Sequence, residues 1–524
     1  MHWYDTWIIP RVENMTYPIN IVWFKRDLRI NDHAPIIEAA RHGIVLPLYI
    51  IEPELWTLPD SSRRHWHFIH DSLIDLQNAL AALGTKLVIR TGEVLDVMTC
   101  LLGETGGFTL WSHEETGNNW TYQRDIRVAQ WCKAQELSWH EYPSNGVVRR
   151  LKSRDSWGAT RNARMASSLI TSPTRLISFS PCLSEPLPEK NHLLFGSQNI
   201  GCVQSGGRKE ALRTLDSFLN TRGRYYTVTI SKPGVSARHC SRLSTHITYG
   251  TLSIREIEQA TIAKMAFLSS RNDAEASFFH RNLSAFLSRL AWHCHFIQKL
   301  EQQPDIEFKC MHQAFEGMRE SFFRDDFFDA WKSGNTGYPL IDACMRSLHA
   351  NGWITFRMRA MLVSFASYHL WLDWRKTAPF LAQLFTDYEP GIHYSQFQMQ
   401  SGVTGINVIR MYNPIKQSYD HDPTGQFIRR YVPELKPVSD VFIHEPWNMN
   451  NPPANYPKPI VEHNVAIKFA RAEIAKRRQQ DGFKENAQAV NKALGSRNRG
   501  PSTRRAHKKK DDRQLNFDWY NDDE

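Results

Sequence analysis

Short apolar runs alternate with amphipathic stretches over residues 18–145, and this alternation constrains the fold more than any other feature of the chain. The runs at 19–24 and 45–51 have the length and residue types of buried strands, and helical patterns follow them near 32–42 and 62–83. Strands that alternate with helices pair in parallel, with helices on both faces. The pattern therefore predicts an α/β domain with a doubly wound, Rossmann-like parallel sheet.

Further apolar runs and helical stretches continue the alternation at 86–90, 93–102, 108–111 and 118–134. Ligands of doubly wound sheets bind beyond the carboxyl ends of the strands. The candidate crevice of this domain therefore lies at residues 26–32 and 111–118.

The pattern changes three times beyond this domain. Residues 146–207 are rich in Ser, Pro and Arg, which is typical of a linker that crosses the surface. Apolar residues then recur at helical spacing, with no convincing strand up to about residue 400, so 208–480 is predicted to be a larger all-α domain. Residues 481–524 are polar and basic, which is typical of a disordered tail. A solvated terminus and a contact with nucleic acid both agree with that composition.

The formal net charge of +10 favours a polyanionic partner, because cationic surfaces release counterions from phosphates. No run of about 18 apolar residues occurs, and no signal-peptide pattern opens the chain. We expect a monomer without membrane contact, cytoplasmic and nucleoid-associated, or nuclear in a eukaryote. The eight cysteines lack paired spacing and none follows Cys344, which predicts free thiols and no iron–sulfur cluster.

One stretch, 335–402, concentrates candidate site residues: Trp353, Arg357, Arg359, Asp387 and Glu389. An arginine amid so many apolar residues needs a partner, because a buried unpaired guanidinium costs several kcal/mol. Asp387 is the nearest acidic residue downstream of the arginines. On residue types alone, a structural ion pair and a binding site agree equally well with this pattern.

Three blocks in a fixed order carry a family resemblance: Trp23-Phe24-Lys25-Arg26-Asp27-Leu28-Arg29, Ser241-Arg242-Leu243-Ser244, and 335–402. Together they resemble the cryptochrome/photolyase family of FAD flavoproteins over roughly residues 18–450. The resemblance implies FAD in the helical domain and a possible antenna pigment, a folate or a deazaflavin, in the α/β domain. Members either repair ultraviolet-damaged DNA with light or signal, so the fold does not settle the function.

The resemblance also implies the cofactor contacts. Those from mid-chain are Tyr226, Cys240, Ser241, Arg242, Leu243 and Ser244, with Cys240 where threonine is common. Those from the later stretch are Trp353, Arg359, Asp387, Glu389 and His393. Arg359 and Asp387 are expected to form the charge-assisted pair that orients the isoalloxazine. Taken alone, the Ser241–Ser244 segment also agrees with a simple helix cap.

The predicted helix at 282–302 carries Arg289 and Trp292 beside its apolar stripe. The resemblance makes Trp292 a catalytic candidate that lines the damage and flavin cavity. It also puts Arg289 where dimer-repairing members keep a glutamate, and this charge reversal leaves the lesion type open. His293 and His295 project about 200° apart on a helix, so no metal site is predicted.

His393 falls where relatives place the residue that faces flavin N5, usually asparagine in photolyases and aspartate or cysteine in many cryptochromes. Its unperturbed pKa of ~6.5 suits a proton donor, which makes it a catalytic candidate. A shifted loop that puts Tyr394 or Gln396 there is the alternative.

Only the middle tryptophan of the family's photoreduction chain, Trp374, is present. Phe397 occupies the place nearest the flavin, and Ser321 approximately the surface place. Phenylalanine is not oxidised at accessible potentials, so the usual electron route is interrupted. The alternative carriers are Trp371, Trp353 and Tyr394, for which core packing explains the residue type equally well.

Arg410 and Lys416 are candidate DNA contacts, because basic residues interleaved with aromatic ones suit a nucleic-acid surface, although simple exposed charge explains them equally well. The resemblance implies Arg357 as a third contact, since relatives bind DNA phosphate at that position. The leading hypothesis is a deoxyribodipyrimidine photo-lyase, a carbon–carbon lyase that uses reduced FAD and light to split ultraviolet-induced pyrimidine lesions in DNA. One alternative is a blue-light photoreceptor of the cryptochrome type. Another is an FAD protein that binds nucleic acid without repair.

Overall fold

The computed structural model describes residues 18–179 and 182–497, which form an α/β domain and a larger helical region. Five parallel strands make one sheet: β1 (Ile19–Phe24), β2 (Ile44–Ile51), β3 (Val88–Thr91), β4 (Thr109–His113) and β5 (Trp139–Tyr142). Their order is β3-β2-β1-β4-β5, so the direction of winding reverses between β1 and β4. The helices of this domain are α1 (Ala34–His42), α2 (Pro53–Thr57), α3 (Arg63–Ala82), α4 (Val94–Thr105) and α5 (Asn119–Ala134).

The predicted doubly wound sheet is confirmed, but β5 was not predicted from the sequence. This strand is four residues long, reads Trp-His-Glu-Tyr, and lies half-exposed at the edge of the sheet. Neither an apolar run nor a clear alternation marks it, because an edge strand buries little of its surface.

The helical region contains no strand among the described residues, as predicted. Its helices are α6 (Trp157–Ala166), α7 (Arg208–Asn220), α8 (Tyr226–Thr229), α9 (Pro233–His239), α10 (Ser244–Thr248), α11 (Ile254–Ser269), α12 (Ala274–Gln302), α13 (Asp325–Ser333), α14 (Pro339–Asn351), α15 (Phe356–Ser364), α16 (Trp374–Leu384), α17 (Pro390–Gln400), α18 (Pro414–His421), α19 (Gln426–Tyr431), α20 (His463–Arg478) and α21 (Phe483–Leu494). A π-helical turn, Phe365–His369, follows α15. In the described part of the chain, no helix has both the length and the hydropathy needed to cross a membrane.

Two segments are more ordered than the sequence predicts. The expected linker at 146–207 contains α6, and its backbone bonds to the α/β domain through Leu176 and Leu83. The expected tail from 481 begins with α21, whose Phe483 stacks on His312 with ring centroids 4.0 Å apart. Short amphipathic helices that pack through a few residues leave only a weak periodic signal. The rest of the predicted tail, 498–524, lies outside the described residues.

The loop after β1 joins the two domains. Arg26 donates hydrogen bonds to the Glu389 carboxylate (2.9 Å) and to the backbone oxygens of Tyr388 (3.0 Å) and Thr248 (3.1 Å). Arg29 donates to the backbone oxygen of Gly250 at 3.0 Å. The first family-like block therefore holds the α/β domain against the helical domain at the reversal point of the sheet.

Within the described ranges, one group of three metal-ligating side chains brings its ligand atoms within 4.8 Å of one another: Asp27, His33 and His113. His33 Nδ1 accepts from the backbone N–H of Ile36, so its Nε2 carries the proton and donates to Asp27 at 2.9 Å. His113 Nδ1 lies 2.7 Å from the same carboxylate oxygen. This geometry is a hydrogen-bonded triad that fixes the loop after β1, and it occupies the lone pairs a metal would need.

Buried neutral histidines are expected to make the protein acid-labile. Burial lowers the pKa of eight histidines to between about 2 and about 4: His65, His113, His246, His293, His295, His369, His393 and His421. Each contributes stability above its unfolded pKa of ~6.5 that is lost as pH falls toward the folded pKa. Four glutamates whose pKa is raised to about 7 act in the opposite direction (Glu52, Glu301, Glu307 and Glu389).

The histidines outnumber these glutamates, so unfolding takes up protons below pH 6.5. We expect a loss of unfolding free energy of about 2–3 kcal/mol per pH unit between pH 6.5 and 5, measured by urea denaturation. If the unfolding free energy instead stays constant or increases as the pH falls from 6.5 to 5, these histidines are charged in the folded protein.

Candidate functional site

A cavity lies in the helical domain between α8, α10, α15 and α17, and its empty space, counted out to its open mouth, is about 1170 Å³. Ten of the eleven predicted cofactor residues line it: Tyr226, Cys240, Ser241, Arg242, Ser244, Trp353, Arg359, Asp387, Glu389 and His393. Leu243 does not, because its side chain is fully buried in the apolar cluster behind the wall. Residues from four distant parts of the chain thus converge on one concave, partly apolar site.

Arg359 and Asp387 form the predicted ion pair in the wall of this cavity. α15 begins after Thr355, whose hydroxyl accepts from the backbone N–H of Met358, and Arg359 follows one turn in. The Arg359 Nη2 group lies 2.9 Å from both carboxylate oxygens of Asp387. Burial alone would raise the pKa of Asp387, but the charge and hydrogen bonds of Arg359 hold it below its usual value. Asp387 is therefore an anion at neutral pH.

The Ser241–Ser244 segment brings hydroxyls and a guanidinium to the opposite wall. Arg242 has a left-handed backbone (φ 60°), and its guanidinium lies 4.2 Å above the Trp353 ring. Burial lowers the pKa of Arg242 to about 10, which leaves it cationic at neutral pH. Arg222 fixes the segment by donating to the backbone oxygens of Cys240 and Ser241.

His393 lines the cavity, but its environment argues against the predicted role as proton donor. Its Nε2 lies 2.9 Å from the backbone oxygen of Ala378, which can only accept, so Nε2 carries the proton and Nδ1 is the acceptor. Burial lowers the pKa of His393 to about 3. The ring is neutral at physiological pH, and its one N–H is bonded to α16.

Trp292 is not among the residues that line the cavity, contrary to expectation. It lies half-buried on α12, where it stacks on Phe296 with ring centroids 5.6 Å apart. The next residue, His293, lines the cavity instead, and neither of its ring nitrogens has a hydrogen-bond partner among the described residues. Its position four residues beyond Arg289, on the same helix face, is the signal that could have identified it.

The residues considered for electron transfer are dispersed. Phe397 is part of the cavity wall, whereas Trp374 is buried outside it, with the Arg375 guanidinium 4.9 Å from its ring. Ser321 is exposed in a short turn, and Trp371 packs between Arg319 and Phe469. Among the alternative carriers, Trp353 lies in the cavity wall.

Two arginines from other elements, Arg289 and Arg410, lie within electrostatic reach of Arg357 on α15. Burial lowers the pKa of Arg357, and the charges of Arg410 and Arg289 lower it further. Arg357 also donates to the Ser231 hydroxyl at 3.0 Å. Lys416, the third predicted DNA contact, is paired with Asp420 on the surface at 3.1 Å, so it is less available to an anion.

A second cavity of about 760 Å³ lies at the carboxyl ends of β1 and β2, as predicted for ligands of this sheet. Its wall contains Arg124, which bonds to three buried carboxylates: Glu52 (2.7 Å), Glu115 (2.5 Å) and Asp125 (2.8 Å). Tyr388 lines both this cavity and the larger one, so the two cavities share part of a wall.

The polar atoms around the large cavity fit a bound dinucleotide. Arg242 and the neighbouring hydroxyls suit a diphosphate, and Phe397, Val363 and Ile392 supply apolar walls for a ring system. Three groups on its boundary are buried without a partner among the described residues: Glu389 Oε1, Gln396 Nε2 and the His293 ring nitrogens. Such groups are costly unless a ligand satisfies them.

Comparison with known proteins agrees with this assignment. Residues 20–157 match the DNA photolyase model, and residues 286–476 match the model of the FAD-binding domain of DNA photolyase. A deoxyribodipyrimidine photo-lyase of Agrobacterium fabrum is 28% identical over 88% of this chain and 98% of its own length. Cryptochrome-1 of Arabidopsis thaliana is 25% identical over 85% of this chain and 68% of its own length. The crystal structure of a class III photolyase from Agrobacterium tumefaciens superposes with a TM-score of 0.78 at 25% identity, covering 90% of this chain and all of that one.

Proposed function

The chain belongs to the cryptochrome/photolyase family, and from that premise we propose that it is an FAD-dependent photolyase that repairs ultraviolet-induced pyrimidine lesions in DNA. One arrangement supports this most directly. α15 carries Arg359, paired with Asp387 in the cavity wall, and two residues earlier Arg357, which is grouped with Arg289 and Arg410. A cofactor-holding cation and a phosphate-binding group thus lie on one helix.

Reduced FAD, when bound, supplies the light-excited electron that splits the lesion. The protein's own contribution is binding and orientation. Asp387 holds Arg359 against the cavity wall, Arg242 offers a cation for the diphosphate, and the apolar wall excludes water. Arg357 and its neighbours bind the DNA backbone, so that a flipped-out base can enter the cavity mouth.

Two residues near the large cavity bear on the lesion: Phe356, which lines the cavity, and Arg289, which lies within electrostatic reach of Arg357. Arg289 replaces an acidic residue of dimer-repairing members, and Phe356 replaces an asparagine or a histidine. Both changes remove hydrogen-bonding groups suited to a cyclobutane dimer. We propose that a (6-4) product or a lesion in single-stranded DNA is a better substrate than a cyclobutane dimer in duplex DNA.

The second candidate function is a blue-light receptor of the cryptochrome type. The replacement of the family's asparagine by His393 favours it, because cryptochromes vary this position. The neutral state of His393 supports the photolyase function instead. A neutral imidazole offers an uncharged acceptor, like the side-chain oxygen of the asparagine found in photolyases, and not the negative charge of the aspartate found in many cryptochromes.

A repair assay separates the two functions. Reduced protein is illuminated with blue light together with oligonucleotides that carry either lesion, in single-stranded and duplex form, and the lesions are counted. We expect a light-dependent loss of at least one lesion. The Asp387→Asn variant and a dark sample are the controls. If neither lesion is lost from any substrate while the protein holds FAD, the photolyase proposal is wrong.

We also propose that the cavity of about 760 Å³ at the sheet holds the antenna pigment, because it lies at the carboxyl ends of β1 and β2 and shares the wall residue Tyr388 with the large cavity. An absorption shoulder beyond the flavin bands would identify the pigment. Its loss in Trp56→Ala, a residue that lines this cavity and not the large one, with the flavin bands retained, would assign the site.

Restoring an oxidisable ring next to the flavin is expected to accelerate photoreduction. In Phe397→Trp the new indole occupies the cavity wall, where the native benzene ring is redox-inert. We expect photoreduction of bound FAD to be at least about tenfold faster under equal illumination with a thiol reductant. Phe397→Leu is the control and should not be faster than the native protein. Equal rates in Phe397→Trp and the native protein would show that another side chain already supplies the electron.

A further inference from the structure

The wall that α17 presents to the large cavity is made by one helix face, which contains Glu389, His393, Gln396, Phe397 and Gln400. Residues three and four apart on a helix share a face, so these side chains face the same cavity. Three of them are uncharged polar groups, and they differ in whether their hydrogen-bonding atoms are already occupied.

Three other polar side chains near this wall, His393, Asp387 and Glu389, already have hydrogen-bond partners in the protein. The N–H of His393 is bonded to the Ala378 carbonyl, and Asp387 is held by Arg359 through both oxygens. One oxygen of Glu389 is bonded to Arg26. None of these three side chains has a free N–H to offer a ligand.

Gln396 is different. Its side chain is 91% buried, and its Nε2 has no hydrogen-bond partner among the described residues. Its Oε1 lies 3.5 Å from Nε2 of Gln400, one turn further along, so the oxygen has a partner on α17 whereas Nε2 has none among the described residues. A buried amide donor without a partner is costly, so a partner is expected from a ligand.

Building on the proposed function, we infer that Gln396 is the residue that positions the flavin ring, by donating a hydrogen bond from Nε2–H to a carbonyl oxygen at the edge of the ring. His393, which aligns with the family position for such a contact, lies beside Gln396, and its Nδ1 is a hydrogen-bond acceptor, not a donor. The donor is an amide and does not titrate, so the contact is independent of pH.

Vibrational spectroscopy of the oxidised flavin in the dark tests this directly. Native protein, Gln396→Leu and His393→Phe are loaded with FAD labelled with ¹³C at its carbonyl carbons, and the carbonyl stretching frequencies are compared. Loss of a donor strengthens the C=O bond, so Gln396→Leu should raise one frequency and weaken FAD binding by about tenfold. His393→Phe should leave the frequencies unchanged, because the native ring directs no N–H into the cavity.

A second variant separates the loss of the hydrogen bond from a change in packing caused by the leucine side chain. Gln396→Glu keeps the shape of the side chain and is a donor only when its carboxyl is protonated. Its carbonyl frequency should therefore match the native value at low pH and rise as the carboxyl ionises, whereas the native protein shows no pH dependence.

An unchanged frequency in Gln396→Leu, or a raised frequency in His393→Phe, would overturn the inference. These outcomes are distinct from failure of the proposed function, in which the native protein holds FAD but repairs no lesion.

Discussion

Replacing Asp387 with asparagine is expected to yield a protein that purifies with less than about a tenth of the native FAD content. The substitution keeps the size of the side chain but removes the charge that Arg359 contacts through two hydrogen bonds of 2.9 Å. Breaking a buried pair leaves its partner uncompensated, which costs about 3–5 kcal/mol. The FAD-to-protein absorbance ratio after purification measures the effect, and native stoichiometry in the variant would contradict the assigned cofactor site.

The chain contains a matched control for this experiment. Arg346 and Glu434 form a second two-pronged pair, with distances of 2.8 and 2.9 Å, and neither residue lines the cavity. Glu434→Gln should cost stability while leaving the FAD content per folded molecule unchanged. Equal FAD loss in both variants would point to general destabilisation rather than to the site.

Replacing Arg124 with leucine is expected to destabilise the α/β domain by about 3–5 kcal/mol, the usual cost of removing one member of a buried ion cluster. Arg124 is 2% exposed and is the cation shared by Glu52, Glu115 and Asp125. Without it Glu52 and Glu115 are buried with no ion-pair partner among the described residues, whereas Asp125 keeps Lys25 at 3.2 Å and Arg149 at 3.5 Å. Urea unfolding followed by circular dichroism measures the loss.

The pH dependence of this variant gives an internal check. Burial raises the pKa of Glu52 to about 7 even beside Arg124. Without the cation the carboxylates bind protons more readily in the folded state, so the defect should shrink as pH falls toward 5 and grow above pH 7. A defect that does not change with pH would mean that the lost packing against Trp23, not the lost charge, is responsible.

Arg127→Leu is the control on the same helix. Arg127 and Glu93 are 3.7 Å apart, and about two-fifths of each side chain is exposed. Exposed pairs of this kind contribute about 0–1 kcal/mol, so stability should hardly change. A loss similar to that of Arg124→Leu would contradict the importance assigned to the buried cluster.

Local pattern was enough to predict the elements that bury a large face. Strands β1 to β4 read as apolar runs because a doubly wound sheet is covered on both sides. The half-exposed β5 and the small helices α6 and α21 escaped prediction, since each buries only a few side chains. The Arg359–Asp387 pair could also be predicted, because a guanidinium among apolar residues requires an anion within reach.

The sequence did not predict which way a side chain points or which of its hydrogen-bonding atoms already have partners. Trp292 and His293 are adjacent in the chain, yet only His293 faces the cavity, because the orientation of α12 depends on its packing against α17. The block around Arg26 was recognised as a family feature, but its role in joining the domains depends on a carboxylate more than 360 residues away. Long-range contacts of this kind leave no local periodicity.

The sequence by itself determined the fold class, because burial imposes a spacing on apolar residues, and the family, through three ordered blocks of residues. The resemblance also named ten side chains that line the large cavity. Only the tertiary structure decided which of those side chains can still bond to a ligand. His393 and Gln396 both have polar side chains that can donate a hydrogen bond. The N–H of His393 is bonded to the Ala378 carbonyl, whereas the side-chain N–H groups of Gln396 have no partner among the described residues. Whether a side chain already has a hydrogen-bond partner depends on residues that the fold brings close from distant parts of the chain. It therefore cannot be predicted from one segment of the sequence.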